Sequence, residues 1–497
     1  MSNATEEDVR KAVALGVIDL PFCKARGLAG MADVLQVLNN PGSHQCALSA
    51  QFDPVAYSEL YPDIAGSGLH PVIHYTRHGK AEGRNALPVF DLVLEDVASS
   101  GRPVWIESHD LGLTGAPMAL AHLLQGWPLL ARNALLGSPA PGGLVNNILE
   151  SGAKVLCHGQ SARRIQTQSE ASPLLARCAK LLRQSGAKAL IANSFQSWPM
   201  VFAALESGLV VHWIIHEPTP DEMRALYDQE LFANIVSQMT LVTSLVFVST
   251  DSRTSWQAEE MSNSHVIEKA LPPTSSISRE SGRNAADCAQ DDTLVLSVGT
   301  MSPRKGQLDL IMALEHLVGD PIAKSLVNVF VGHNTSDYAA DIRSRARKLR
   351  AQGMRLFVLP ESRTDEDRRT VAHLFAAADV FCMTSRSESR PLTTMEALHQ
   401  GCPVISTDAS GIGELIDDGE TGLLYPAGDH AALASRLGLL VSDIELRNKM
   451  RATIIDTQDP SAFSRMLGAY QHLLSLPGVA SPASARISSC TGSTSSK

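Results

Sequence analysis

Short apolar runs alternate with stretches of helical periodicity in two parts of the chain, about 100–270 and 285–440. The runs are continuous rather than alternating, as in strands that are buried on both faces of a parallel sheet. In the first part they lie at 104–107, 155–157, 190–193, 210–215 and 245–249, and in the second at 294–298, 327–331, 355–359, 380–383 and 404–406. Repeated strand–helix–strand units predict right-handed crossovers and therefore one parallel sheet in each part.

The fold predicted from this pattern is α/β, with two Rossmann-like parallel-sheet domains facing across a cleft and a small N-terminal extension. A length of 497 residues suits two or three domains. The predicted segments are an extension at 1–45, a His-, Tyr- and Pro-rich module at 46–95, Rossmann-like domains at 100–275 and 285–440, helices that pack back at 441–478, and a disordered Ser-rich tail at 479–497. Ser and charged residues between 272 and 292 predict a linker.

Composition and charge disfavour several classes of function. A net charge of -10 does not suit nonspecific nucleic-acid binding, and the basic cluster at 343–350 is predicted to be the solvated face of a helix. The eight cysteines contain no C-x-x-C pair, which disfavours a zinc ribbon and suits a reducing compartment. No apolar run reaches the ~18 residues of a membrane span, and the polar N-terminus lacks a secretory signal. We expect a cytoplasmic protein, with any membrane contact made peripherally at the inner face.

The strongest candidate for chemistry is the stretch 385–398, which follows the predicted strand at 380–383. Pro391 suits the first position of a helix, whose free N–H groups and dipole would form an anion site at the carboxyl edge of the sheet. Glu388 lies just before this helix, and Glu396 about two turns further on. A diphosphate at the N–H groups leaves one carboxylate near a sugar and the other near ribose hydroxyls. Either glutamate alone is more simply a capping or surface carboxylate, but the pair at this spacing favours a site.

A second candidate is the stretch 299–306, GTMSPRKG, after the predicted strand at 294–298. Arg304 and Lys305 are adjacent cations at a strand's carboxyl end, where they would neutralise a diphosphate and stabilise it as a leaving group. A metal ion would otherwise have to supply that charge, so we predict no metal site and no cofactor. The alternative is a solvated Arg-Lys pair on a turn.

Weaker candidates follow other predicted strands. Gly411 and Gly413 come after the strand at 404–406 and would let the backbone approach a ligand, although a plain turn also explains them. In the first part of the chain, His109 and His216 each stand at the end of a predicted strand. A lone histidine there is more often structural. Because two lie on one sheet edge, a functional role and a structural role are given equal weight for each.

The second part of the chain resembles the group 1 glycosyltransferases, retaining enzymes of the GT-B fold. The resemblance rests on Gly299 with Arg304-Lys305-Gly306, on Glu388 and Glu396 with seven residues between them, and on the Gly411-Ile412-Gly413-Glu414 turn followed by 418–424. These motifs have the order and spacing of the family. Residues 52–84 resemble a short module found before some bacterial glycosyltransferases, and we expect its His and Tyr side chains to form a packed miniature core.

The resemblance implies a reaction and a role for each position. A hexose-type sugar would move, with retention of configuration, from a nucleotide-sugar donor held by the second domain to a glycan or lipid-linked acceptor held by the first, in surface polysaccharide synthesis. Glu388 and His216 would act at the transferred sugar, and His109, Gly115 and Ala116 would line the first domain's side of the cleft. The positions implied to bind the donor are Gly299, Arg304, Lys305, Ser389, Arg390, Leu392 and Glu396.

Two departures and two alternatives accompany this interpretation. Ala116 and Pro391 each stand where many members of the family have Gly, and Pro391 removes one N–H donor. The alternatives are a GT-B epimerase or phosphorylase, and a non-catalytic glycan-binding or scaffold protein built around the N-terminal module. The Arg304-Lys305 pair beside two glutamates argues against both.

Overall fold

The computed structural model describes most of the chain. The described residues are 3–84, 102–139, 142–159, 162, 165–273, 277–332, 336–359, 365–409 and 411–474, and within 3–84 those at 26–27, 29, 45, 47, 50–51, 53, 55–56, 59–60, 62–63, 65–66 and 83 are left out. The predicted tail at 479–497 lies outside the described residues, as do Asp53, Pro62, Asp63 and Gly83 of the N-terminal module.

The chain divides into two compact units. The first includes Met1–Trp213 and Tyr227–Thr243, and the second consists of Ile214–Leu226 and Ser244–Leu474. The second unit therefore takes in segments that the sequence pattern assigned to the first Rossmann-like domain, with His216 among them. The domain boundaries drawn from the sequence stay predictions.

Residues 3–84 form a small helical segment around one hydrophobic cluster. Its helices are α1 Glu6–Ala14, α2 Leu20–Ala25, α3 Met31–Asn39 and α4 Pro71–His74, with a 3₁₀ turn at Pro41–Ser43 and a π-helical turn at Tyr75–Gly79. Val9 and Val34 of the helices share the cluster with Phe52 and Tyr57. The Tyr57 hydroxyl lies 3.2 Å from Nδ1 of His74. The module's aromatic residues thus form the packed core predicted for them, and residues before 46 contribute to it.

Seven strands form the first sheet. They are β1 Val104–Glu107, β2 Ala134–Ser138, β3 Lys154–Cys157, β4 Ala189–Asn193, β5 Val210–Ile215, β6 Ser244–Phe247 and β7 Ser264–Val266, in the order β3-β2-β1-β4-β5-β6-β7. Strand β1 is parallel to both β2 and β4, with Val104 opposite Ala134 and Ala189. The five predicted strands are confirmed. Strands β2 and β7 were missed because β2 follows a helix without a turn signal and β7 has only three residues.

Helices connect these strands, and three of them, α8, α11 and α12, begin at side-chain caps. They are α5 Gly115–Gly126, α6 Pro128–Asn133, α7 Val145–Glu150, α8 Gln168–Ser185, α9 Trp198–Glu206, α10 Pro220–Arg224, α11 Gln229–Ser237 and α12 Thr250–Ser255, with 3₁₀ turns at Phe195–Ser197 and Gln238–Thr240. Thr167 and Glu170 form a capping box at the start of α8, and Gly186, with a φ of 68°, ends the helix.

Six parallel strands form the second sheet. They are β8 Thr293–Val298, β9 Leu326–Val331, β10 Arg355–Leu359, β11 Val380–Met383, β12 Val404–Thr407 and β13 Gly422–Tyr425, in the order β10-β9-β8-β11-β12-β13. All five predicted strands are confirmed, and β13 is an additional edge strand parallel to β12. The order places β8, β11 and β12 side by side, so the loops that follow them emerge together.

Both faces of the second sheet are covered. Val295 of β8 packs in one hydrophobic cluster, whereas its neighbours Leu294 and Leu296 pack in another. Successive residues of a strand point to opposite faces, so the two clusters lie on opposite sides of the sheet. This double burial explains why the strands read as continuous apolar runs in the sequence.

The remaining helices surround this sheet. They are α13 Arg279–Ala285, α14 Gln307–His316, α15 Asp337–Ala351, α16 Asp365–Ala377, α17 Leu392–His399, α18 His430–Ser442, α19 Ile444–Thr457 and α20 Ala462–Leu473, with a 3₁₀ turn at Pro321–Lys324. The basic cluster at 343–350 lies on α15, as predicted, while Ala339, Ile342, Ala346 and Leu349 face the core. No helix in the described part of the chain is long and apolar enough to cross a membrane.

The predicted linker contains a docked helix. Within α13, Nη1 of Arg283 lies 2.9 Å from Oδ2 of Asp379, which directly precedes β11. A Cβ atom on Gly282 would lie 2.0 Å from the carbonyl oxygen of His373 in α16, so the two helices approach at a point that admits only glycine. The interpretation of 272–292 as a plain linker was therefore wrong for this part of it, because a charged surface helix and a solvated linker have the same composition.

Candidate active site

The loops after β8, β11 and β12 are tied together at the carboxyl edge of the second sheet. Thr384 donates its hydroxyl to the carbonyl oxygen of Lys305 at 2.9 Å, and the N–H of Arg386 donates to the carbonyl oxygen of Arg304 at 2.7 Å. Thr407 donates its hydroxyl to the carbonyl oxygen of Ser385 at 2.6 Å. These bonds hold the loops that carry the predicted cations and the predicted Glu388 in one fixed arrangement.

Two cations meet the carboxylate of Glu388. Its Oε1 accepts Nζ of Lys305 at 2.6 Å and Nη1 of Arg304 at 3.2 Å. Glu388 is 7% exposed. Burial alone would raise the pKa of this carboxyl, but the charges of Lys305 and Arg304 outweigh it and hold the pKa below its ordinary value. Glu388 is therefore a buried, ionised acceptor between two cations.

Arg304 also faces a second carboxylate that the sequence did not single out. Its Nε lies 3.6 Å from Oε2 of Glu222, on the short helix α10. Burial raises the pKa of Glu222, the charge of Arg304 opposes the shift, and the charge of Glu388 adds to it. Glu222 lies six residues after His216, and only its acidic character at the start of a helix beyond a candidate loop could have pointed to it.

Two glycines shape the loops. Gly306 has a φ of 64°, and a Cβ there would lie 2.1 Å from the carbonyl oxygen of Thr384. Gly411 has a φ of 77°, and a Cβ there would lie 2.1 Å from the carbonyl oxygen of Glu388. Both are left-handed positions in which a larger side chain would be strained and would collide with backbone. Gly411 therefore packs directly on the loop that carries Glu388.

Asp251 holds the glycine turn from a neighbouring element. Its Oδ2 accepts the N–H of Gly411 at 2.6 Å, and its own N–H donates to Oε1 of Glu414 at 2.8 Å. Asp251 lies in the first turn of α12 and, like the glycine turn, belongs to the second compact unit. The reciprocal bonds fix the turn against the second unit's own structure.

Helix α17 begins one residue later than predicted. Pro391 is the N-cap residue, with a φ of -70° and a ψ of 123°, and Leu392 is the first helical residue. The prediction placed Pro391 inside the helix. Since a proline also suits the extended conformation of a cap, composition alone does not separate the two positions. No side chain caps α17, so the N–H groups of its first turn are available to a ligand.

Glu396 lies within α17 and is partly buried. Burial raises the pKa of its carboxyl to about 7. Among the described residues, no side chain forms an ion pair or hydrogen bond with this carboxylate. A carboxyl in this state can accept hydroxyl hydrogen bonds once it is ionised.

The predicted residues beside α17 are brought together with His216. Ser389 donates its hydroxyl to the carbonyl oxygen of His216 at 2.7 Å. The N–H of His216 donates to Oε2 of Glu217 at 3.0 Å. Arg390 donates its Nε–H to the carbonyl oxygen of Lys269 at 3.0 Å, and its Nη2 lies 3.1 Å from Glu268. Leu392 is buried at the start of the helix.

Gly299 opens the cation loop after β8. Its carbonyl oxygen accepts Nε2 of Gln307 at 3.2 Å, and Thr300 accepts the same atom at 3.1 Å. Gln307 is buried at the start of α14. The side chain of Gln307 thus fixes the backbone ahead of Arg304 and Lys305.

Three predicted residues lie in the first compact unit. His109 Nε2 is 3.4 Å from Oδ2 of Asp110, in the loop after β1. Gly115 is the first residue of α5, and a Cβ there would meet no atom within 4 Å. Ala116 is buried and its carbonyl oxygen accepts Nδ2 of Asn193 at 2.9 Å. Glu388 and His216 belong to the second unit, so the structure groups the predicted residues in two sets.

Lys269 is a buried cation of the second unit that the sequence analysis missed. It is 8% exposed, and its Nζ donates to the carbonyl oxygen of Arg390 at 3.2 Å. Burial lowers the pKa of its ammonium group to about 8. The only signal in the sequence was a single lysine in the run VIEKALPP, which follows the start of β7.

One short acidic sequence could in principle supply ligands to a metal ion. An Asp-x-Asp sequence occurs once, at Asp365–Asp367, in the first turn of α16. In the sequence, Asp365 and Asp367 are not part of the loops that follow β8, β11 and β12. Over the residues that the structure describes, no group of three His, Cys, Asp or Glu side chains is placed to share a metal ion.

Comparison with known proteins finds similarity between part of the second unit and sugar-transferring enzymes. The family model described as "Glycosyl transferases group 1" matches residues 278–456. D-inositol 3-phosphate glycosyltransferase from Jonesia denitrificans is 31% identical over 185 residues, 36% of this chain and 42% of that protein. N-acetyl-alpha-D-glucosaminyl L-malate synthase from Bacillus anthracis is 39% identical over 80 residues, 16% of this chain and 21% of that protein. The chain spans less than half the length of the curated relatives it matches.

Solved structures share the fold at low identity. HepE from Anabaena, determined in complex with UDP-glucose, has a TM-score of 0.61 and 18% identity over 75% of this chain and 99% of that one. Sucrose-phosphate synthase from Thermosynechococcus elongatus has a TM-score of 0.58 and 16% identity over 75% of this chain and 99% of that one. The predicted fold of two Rossmann-like parallel sheets, GT-B, is confirmed.

Proposed function

We propose that the chain, whose residues 278–456 match the model of the group 1 glycosyl transferases, transfers a sugar from a nucleotide-sugar donor to an acceptor hydroxyl. One observation carries the proposal: Lys305 and Arg304 converge on the buried carboxylate of Glu388, beside the uncapped N-terminus of α17. This arrangement places two cations and a helix N-terminus where a diphosphate can bind. That HepE, which has the same fold, was determined with UDP-glucose supports a nucleotide-sugar as the ligand.

The donor diphosphate binds to Arg304, Lys305 and the free N–H groups of α17. In the structure, the two cations are paired with Glu388 and Glu222. A diphosphate offers them stronger, charge-assisted contacts, and its negative charge also suits the helix dipole. The cations then stabilise the charge that develops on the leaving phosphate, which is the task that a metal ion performs in other transferases. We therefore propose that turnover needs no metal ion.

The transfer step itself proceeds with retention of configuration. The bond between the anomeric carbon and the phosphate oxygen breaks, and its electron pair stays on the phosphate. The departing phosphate oxygen takes the proton of the acceptor hydroxyl, whose oxygen bonds to the anomeric carbon on the same face. Glu388 orients the sugar and balances the charge of the two cations. It does not act as a nucleophile.

The remaining predicted residues hold the ends of the donor. Glu396 accepts hydrogen bonds from the ribose hydroxyls, which its lack of a partner among the described residues allows. His216 and Ser389, joined at 2.7 Å, lie beside the sugar. His109, Gly115 and Ala116 of the first unit serve the acceptor. Gly299, Arg390 and Leu392 shape the backbone around the diphosphate.

The acceptor is a glycan or a lipid-linked sugar, and the product is part of a surface polysaccharide made in the cytoplasm or at the inner face of the membrane. The curated relatives act on a different kind of acceptor by name, an inositol phosphate or malate. A small phosphorylated polyol is therefore the second acceptor class to be tested.

A donor panel tests the proposal. The purified chain is incubated with the uridine, guanosine, adenosine and thymidine diphosphate sugars, and free nucleoside diphosphate is measured with and without EDTA. We expect one nucleotide class to be hydrolysed slowly without acceptor, and EDTA to leave the rate unchanged. The anomeric configuration of a glycoside product, read by proton NMR, tests retention. No release from any donor, or a product of inverted configuration, contradicts the proposal.

A further inference from the structure

Lys269 stands apart from the other cations near Glu388. Arg304 and Lys305 each lie within ion-pair distance of a carboxylate, and so does Arg390, whose Nη2 is 3.1 Å from Glu268. Lys269 is 8% exposed, and the one hydrogen bond that its ammonium group forms with a described residue goes to the carbonyl oxygen of Arg390. No carboxylate of the described residues lies within ion-pair distance of its Nζ, which leaves two of its three donors unused.

A buried ammonium with no carboxylate at ion-pair distance is costly, because the charge has lost its water and gained no directly paired anion in return. A buried lysine without a carboxylate is uncommon unless a ligand supplies the missing charge. Elsewhere in this unit, the buried charges of Asp379 and Arg283 are paired at 2.9 Å. The missing pair at Lys269 therefore points to an anionic ligand.

The position of Lys269 indicates that such a ligand is an anion. Its Nζ is 3.2 Å from the carbonyl oxygen of Arg390, and the next residue, Pro391, is the cap of α17. The ammonium group therefore lies beside the uncapped N-terminus of this eight-residue helix. Both features attract anions, and they come from separate parts of the chain.

We propose that Lys269 is a third cation of the donor site, which binds an anionic phosphate oxygen of the nucleoside diphosphate at the N-terminus of α17. The proposal rests on the function proposed above, since it assumes that the donor's diphosphate lies there. Arg390 and Lys269 also hold each other, because Nε–H of Arg390 donates to the carbonyl oxygen of Lys269 at 3.0 Å. Together with the bond from Nζ of Lys269 to the carbonyl oxygen of Arg390, this contact links the two residues reciprocally.

The test compares a charged ligand with its neutral counterpart. Of UDP, GDP, ADP and dTDP, the one that binds the wild-type chain best is titrated by calorimetry, together with its nucleoside. Lys269→Met removes the charge at similar length, Lys269→Arg keeps it, and Lys348→Met on the exposed surface of α15 is the control. We expect Lys269→Met to weaken the diphosphate about tenfold or more and to leave the nucleoside within about twofold.

Three results separate the possible failures. If the diphosphate and the nucleoside weaken equally in Lys269→Met, the lysine only braces Arg390 and the proposal is overturned. If diphosphate affinity is unchanged, it is overturned as well. If the wild-type chain binds none of the four diphosphates, the proposed function fails, and this inference fails with it.

A pH series tests the same point in folded wild-type protein. The charges that face Lys269 are those of Glu388 and Glu217, which favour the ammonium form, and those of Lys305 and Arg390, which oppose it. Burial lowers its pKa to about 8, so the free ammonium loses its proton above that pH. Between about pH 7 and 9.5, diphosphate affinity should fall in the wild type and stay level in Lys269→Arg, whose guanidinium keeps its charge. Parallel profiles would contradict the proposal.

Discussion

Nζ of Lys305 lies 2.6 Å from Oε1 of Glu388, although 83 residues separate the two in the chain. The contact exists because β8 and β11 are neighbours in the sheet, so that the loops after them meet. Two motifs that the sequence presents separately are one charged cluster in the folded chain. Substitutions at Lys305 and Glu388 can therefore test donor binding and the stability of the fold together.

Breaking this pair should reduce both activity and stability. Removing both charges should recover part of the stability and none of the activity. Lys305→Met leaves a buried carboxylate with Arg304 alone, and Glu388→Gln leaves a cation without its anion. Each single change is expected to destabilise the fold by about 3 kcal/mol, and the double variant by clearly less than the sum. Urea unfolding gives the stabilities and donor hydrolysis the activities, which should be lost in all three variants. Additive stabilities would show that the pair is not coupled.

Gly411→Ala should disrupt the loop that carries Glu388. The alanine would have to adopt a φ of 77°, and its Cβ would lie 2.1 Å from the carbonyl oxygen of Glu388. We expect a loss of about 2 kcal/mol or more in the free energy of unfolding, with a large fall in donor affinity. Gly413→Ala is the matched control, because a Cβ at Gly413 meets no atom within 4 Å. Equal effects of the two substitutions would exclude the contact as the cause.

Glu396 should make donor binding depend on pH. Burial raises the pKa of its carboxyl to about 7, so the ionised form that accepts ribose hydroxyls is populated as the pH rises through that value. We expect the KM for the donor to fall between about pH 6 and 8, with kcat changing less. Glu396→Gln removes the ionisation and should flatten this part of the profile. A Gln variant with the wild-type pH profile would assign the dependence to another group.

His212 should weaken the fold in acid. The side chain is fully buried in β5, and neither ring nitrogen has a hydrogen-bond partner among the described residues. Burial lowers its pKa from 6.5 to about 4, so on acidification the unfolded chain takes up a proton before the folded one does. Stability from this group is complete above pH 6.5 and is lost as the pH falls towards 4, by on the order of 3 kcal/mol in all.

His212→Leu is the variant that isolates this effect. It removes the titrating group, so the difference in unfolding free energy between variant and wild type should grow as the pH falls from 6.5 to 4. At neutral pH the variant should be at least as stable, because a buried imidazole with unpaired nitrogens is replaced by an apolar side chain. His316→Gln, on the exposed end of α14, is the control. A constant difference across the pH range would contradict the assignment.

The sequence predicted those features that a short stretch of residues is enough to indicate. Strands at 380–383 and 404–406 were found because burial on both faces makes them continuous apolar runs. Arg304, Lys305 and Glu388 were found because each lies in the loop that follows such a strand. Pro391 was misplaced by one residue, since its ring suits both a cap and a first helical position. Strand β13 escaped notice because its start, Gly422, belongs to a turn motif.

Glu222 and Lys269 could not be predicted, for a different reason. Their importance comes from contacts with residues far along the chain, such as Arg304 and Arg390, and nothing in their own neighbourhood reports those contacts. A lysine in an apolar run or a glutamate in a short helix is ordinary by itself. Only the assembled second unit shows that Glu222 faces a cation and that Lys269 has no carboxylate of the described residues within ion-pair distance.

The second compact unit is built from two separate segments of the chain, and this limits where a chimera with a related protein can be joined. The family match begins at residue 278, but Glu222, Asp251 and Lys269, which contact Arg304, Gly411 and Arg390, all precede that point. A chimera joined near 278 would pair one parent's donor loops with the other parent's supports. To move these loops together with the residues that support them, a graft has to carry 214–226 and 244–273 as well, so the structural unit is longer than the segment that the family model matches.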